Sequence, residues 1–121
     1  MRRLKILSLV LVLAISMLSC KKSVSKIILD SDTIEKSKGF VIVKFSSPIV
    51  NSTNKQHWVC IVKEGSPDST WGSWMMVPGN ATQVELKFKE DVTEGKYEVR
   101  LHSNYPEKPY NVVDRRIVTI K

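Results

Sequence analysis

The chain has 121 residues and a formal net charge of +7, which is enough length to bury one small core and leaves no room for a second domain. Its basic surplus is not arranged as a stripe of Lys and Arg interleaved with stacking aromatics, so no nucleic-acid partner is expected. Only two cysteines, Cys20 and Cys60, are present, and they do not make a disulfide framework.

In chain order the first element is a leader. Arg2, Arg3 and Lys5 precede the apolar run Ile6–Leu18, which ends at Ser19 and Cys20, with Lys21 and Lys22 beyond. A bilayer core takes about 20 apolar residues to cross, and this run is shorter. An ordinary secretory signal would explain the charge and the run but not the cysteine at their boundary. Met17-Leu18-Ser19-Cys20 resembles the lipobox of bacterial lipoproteins. That resemblance implies removal of residues 1–19, diacylglycerol and acyl chains (palmitate and its kin) on Cys20, and a lipidated tether over 20–23. Several chains are needed for stable anchoring, since each buried methylene contributes about 0.8 kcal/mol. Lys21, in place of the aspartate that retains lipoproteins in the inner membrane, points to the outer membrane. Loss of the leader leaves 102 residues and, with Arg2, Arg3 and Lys5 gone and no acid removed, a charge of +4. Lys21, Lys22, Lys26, Lys36 and Lys38 then cluster near an anionic membrane surface, each adding about 1 kcal/mol of attraction.

From residue 24 to 121 the periodicity is that of strands. The pattern predicts strands at Ser25–Leu29, Gly39–Phe45, His57–Lys63, Trp71–Val77, Gln83–Phe88, Lys96–Ser103 and Asn111–Ile120, separated by runs of Gly, Pro, Asn, Asp and Ser. Seven short strands with no crossover helix suggest an all-β, antiparallel sandwich. Val41, Val43 and Phe45 share one face, as do Val84, Leu86 and Phe88, while Lys44, Glu85 and Lys87 point to water. In Gly95–His102 the inward set is Tyr97, Val99 and Leu101, and the outward set is Glu98, Arg100 and His102.

Gly95-Lys96-Tyr97-Glu98-Val99-Arg100-Leu101 resembles the tyrosine corner of immunoglobulin-like domains, where the hydroxyl bonds an upstream backbone group. Val99 stands where those domains carry the second cysteine of the intersheet disulfide, so that bridge is absent. Trp58 matches their buried tryptophan on the third strand. Together with Trp58-Val59-Cys60-Ile61 and the last strand Val112–Ile120, these residues resemble bacterial immunoglobulin-like modules. The resemblance implies a fold and is silent on activity, because sandwiches host unrelated functions.

No nucleophile elbow, phosphate loop or His-Glu-x-x-His motif is present, so neither an enzyme nor a cofactor is expected. Cys60 reads as a buried thiol within an apolar run, with His57 on the opposite face of its strand. Asp30, Asp32 and Glu35 lack the glycine and bidentate glutamate of a calcium loop and read as a solvated turn, so no metal is expected. The sequons at Asn51 and Asn80 read as ordinary loop residues. Trp71 and Trp74, three apart, fall on opposite faces of a regular strand, one exposed and the other in the core. The exposed one, with Tyr105 and Tyr110, is a candidate platform for a protein partner or, alternatively, a sugar ring. Lys121, the last residue, is a further candidate: a terminal lysine pairs an ammonium with a carboxylate, a combination that the kringle modules of plasminogen recognise. The expectation is a membrane-anchored binding protein with an envelope component or a host matrix or plasma protein as partner; the alternative is a carbohydrate-binding module.

Overall fold

Alternating apolar side chains close two sheets on each other in the computed structural model, which describes residues 25–89 and 92–121. Strands β1 (Ile27–Ile28), β3 (Phe40–Phe45) and β6 (Gln83–Lys87) form one sheet in the order β1-β3-β6. Strands β2 (Thr33–Ile34), β4 (Lys55–Lys63), β5 (Ser73–Val77), β7 (Gly95–Pro106) and β8 (Asn111–Ile120) form the other, in the order β2-β8-β7-β4-β5. The leader and the tether, Cys20 included, lie outside the described residues.

Between the sheets sit Val41, Val43 and Phe45 of β3, Val84 and Leu86 of β6, Val59 and Ile61 of β4, Tyr97, Val99 and Leu101 of β7, and Val118 and Ile120 of β8. All of them are buried. Their period-two spacing is what makes a strand bury one face, and burying such a Leu or Val side chain stabilises the fold by about 1.5–3 kcal/mol. Phe88 packs against this core from its rim. Lys44 points outward and pairs with Asp30 at 3.0 Å.

Two departures from the expected strands have local causes. Asp30-Ser31-Asp32 breaks the first expected strand, so only Ile27–Ile28 pairs with β3, and the chain then crosses to the other sheet as β2. The described residues therefore form eight strands, and the β2–β8 pair is parallel, unlike the all-antiparallel arrangement expected. Ile34 drives the crossing by burying its side chain in the core. The second departure lies at Gly72, whose φ of +58° ends the run from Trp71, so β5 begins at Ser73. A side chain at Gly72 would collide with the Ile61 carbonyl, which makes glycine the residue that fits there.

At the base of β7 the Thr93 N–H donates to the Tyr97 hydroxyl at 3.1 Å, a bond back to the backbone four residues upstream. Asn51 is used internally: its amide donates to the Val77 carbonyl at 2.8 Å and accepts from the His57 N–H at 3.0 Å, pinning the β4–β5 margin.

Candidate functional site

The outer face of the five-stranded sheet is covered over β4 and β7. β4 turns Trp58, Cys60 and Val62 to this side, and all three are buried in a cluster separate from the main core. Trp58 is buried, as expected, but on this outer side: Val59 and Ile61 take the positions between the sheets, and period two turns Trp58 the other way. Opposite them on β7 stand Glu98, Arg100 and His102, which face away from the core as expected but are buried instead of solvated.

What covers them is the connection between β4 and β5. The Arg100 guanidinium donates to the carbonyls of Ser66 and Pro67, and its Nε pairs with Glu98 at 3.1 Å. Glu98 also accepts the Gly65 N–H at 2.8 Å and takes Arg115 at 3.4 Å, while Arg115 reaches Asp68 at 2.7 Å. Burial by itself would raise the Glu98 pKa; the Gly65 N–H and the Arg100 guanidinium outweigh it and hold the carboxyl below its ordinary range. A buried ion that is fully bonded in this way fixes the connection in one geometry.

Farther along the same face the aromatic residues assemble around Trp58. His102 stacks on Trp58, and the Trp58 indole N–H donates to the Pro109 carbonyl at 3.1 Å. Trp74 meets Trp58 edge to face at 6.3 Å and Trp71 at 5.6 Å. The Trp71 indole N–H donates to the Tyr110 hydroxyl at 3.2 Å, which ties the β4–β5 connection to the loop between β7 and β8. Together with Tyr105 and Met76 these rings line an open, mostly apolar cleft of about 70 Å³. Trp71 is 51% exposed, Trp74 41%, and Tyr105 and Tyr110 40% each, so one patch presents four large rings to solvent.

Trp71, Tyr105 and Tyr110 are thus brought together. The expectation that Trp71 and Trp74 lie on opposite faces fails, because the left-handed Gly72 between them resets the alternation and puts both rings outside. Lys121 is not part of the cleft. It follows the end of β8 that pairs with Gly95, whereas the cleft lies where Asn111 pairs with Ser103, roughly 30 Å away along the strand. Its backbone is held on both sides, donating to the Ile34 carbonyl at 3.0 Å and accepting from the Lys36 N–H at 2.7 Å.

Other candidates show ordinary packing. Cys60 is fully buried, and burial pushes its thiol up to about 12, which keeps it un-ionised and inert. No group of three His, Cys, Asp or Glu side chains arranged to hold a metal occurs among the described residues. Buried Glu98, Arg100 and His102 were missed in the sequence, although a signal was present. Trp58–Val62 is apolar at every position, the mark of a strand covered on both faces, and its neighbour must then be covered too.

No protein-family model, curated protein or solved structure matches the chain.

Proposed function

We propose that this chain is a non-enzymatic envelope lipoprotein, anchored through lipid on Cys20, whose immunoglobulin-like domain binds a protein partner at the Trp71–Tyr110 cleft. The observation that carries the reading is the assembly of four half-exposed aromatic rings around buried Trp58, on the face where the buried Glu98–Arg100 pair is bonded in place. Large rings held rigidly at a surface give contact area at little entropic cost, and such residues dominate protein-binding hot spots. The three-against-five sheet order and the Tyr97 to Thr93 bond support the immunoglobulin-like assignment. The partner is an envelope component or a host matrix or plasma protein.

Sugar rings also stack on tryptophan, and the half-exposed indoles favour a glycan as second reading. A glycan, however, needs polar side chains around its hydroxyls. The cleft lining supplies the hydroxyls of Tyr105 and Tyr110, the latter already bonded to Trp71. Its apolar lining, Met76 included, suits a protein side chain better.

An array of envelope and extracellular-matrix proteins, beside a glycan array, tests the choice. The protein reading requires a protein ligand whose binding falls at least tenfold in Trp71→Ala, and binding only to glycans overturns it. Cys20→Ala is expected to abolish incorporation of labelled fatty acid; equal labelling of the variant overturns the anchor.

A further inference from the structure

Each sheet edge among the described residues is blunted except one. β1 and β2 are two residues long, and β6 carries Glu85 and Lys87. β5, the edge of the five-stranded sheet, is Ser73-Trp74-Met75-Met76-Val77. It has no charge, no proline and no bulge. Natural sheets guard exposed edges with exactly such features, because the unpaired N–H and C=O groups of an edge are a template for another strand.

We infer that β5 pairs antiparallel with β5 of a second copy of this chain, about a two-fold axis through Met75, joining two five-stranded sheets into one. An antiparallel two-fold contact sets the residue on the axis against its own symmetry mate and the residues flanking it against each other, and in β5 every residue so paired is uncharged. With Met75 opposite Met75, Trp74 stands opposite Met76 of the partner subunit. Met76 already lies opposite Trp58 within the chain, and both face the outer side. The pairing therefore extends the row Trp58–Met76 onto the indole of the second copy, a thioether against an aromatic ring.

The edge is also held ready. The Asn51 amide anchors the Val77 carbonyl, and the Ser73 hydroxyl accepts the Lys89 N–H at 2.8 Å. Because the pairing lies in the plane of the sheet, the aromatic cleft on its face stays open. Two clefts then lie side by side. The inference stands independently of which ligand the cleft takes.

Opposed residues on paired antiparallel strands have Cα atoms about 4.5–5.5 Å apart, within the range that a disulfide spans. Met75→Cys is therefore introduced into the full chain, oxidised in intact cells with copper phenanthroline, and read on a non-reducing gel. The control is Glu85→Cys, on the charged edge β6. The expected result is a covalent dimer from Met75→Cys at least tenfold more abundant than from Glu85→Cys or the parent chain. Adding Trp74→Lys, which sets two ammonium groups across the axis, is expected to abolish it while protease resistance of the domain is kept. Crosslinking of Met75→Cys no greater than that of Glu85→Cys, or crosslinking that persists with Trp74→Lys, overturns the pairing.

Discussion

His102 lies flat on Trp58, ring centroids 3.6 Å apart and planes inclined by 11°, and neither imidazole nitrogen has a hydrogen-bond partner among the described residues. The ring is fully buried. Burial pushes its pKa down to about 4, the Arg100 charge acts in the same direction, and the backbone groups of Asp68 and Trp58 oppose them without closing a bond of good geometry.

The folded protein therefore holds His102 neutral, while the unfolded chain takes up a proton near the ordinary histidine pKa of 6.5. Between pH 6.5 and about 4 the unfolded state binds more protons, and stability falls as pH falls through that window. The loss amounts to on the order of 3 kcal/mol. His102→Phe keeps a flat ring against Trp58 and is expected to flatten the pH dependence of the urea midpoint between pH 6.5 and 4. A slope as steep as the parent's would assign it to other groups.

Arg100 closes the polar layer with donors to Ser66, Pro67 and Glu98. In Arg100→Met these acceptors stay buried with fewer partners, and a cost of about 3–5 kcal/mol is expected. Since the same bonds hold the connection that carries Trp71, tryptophan emission should also shift to the red. Denaturant titration and emission spectra check both.

Tyr97→Phe removes the hydroxyl that accepts from the Thr93 N–H. The ring remains in the core, so the expected loss of about 1–3 kcal/mol isolates the hydrogen bond from the packing. An unchanged denaturation midpoint would mean that water replaces the hydroxyl at no cost.

Gly72→Ala places a methyl against the Ile61 carbonyl at a backbone angle that side chains rarely adopt. The expected cost is at least about 2 kcal/mol. Trp71 and Trp74 should also lose their edge-to-face contact, which near-UV circular dichroism reads directly. Alanine at Gly79, where nothing lies within 4 Å of the added carbon, is the matched control.

Strand positions and the inward set were legible in the sequence because side chains on a strand alternate with period two: Val41, Val43 and Phe45, or Tyr97, Val99 and Leu101, declare one face by themselves. Trp71, Tyr105 and Tyr110 stand out together in the sequence as aromatics beside turn-forming residues, and the structure brings them to one cleft. What periodicity cannot encode is cover. Glu98, Arg100 and His102 alternate outward like solvated residues, and only the connection folding back over β4 and β7 buries them. Likewise a single positive φ at Gly72 moves Trp74 from the opposite face to the side of Trp71. Alternation is a property of adjacent residues, whereas burial of the outer face depends on contacts between Ser66 and Arg100, 34 positions apart, and those exist only once the sheets have closed.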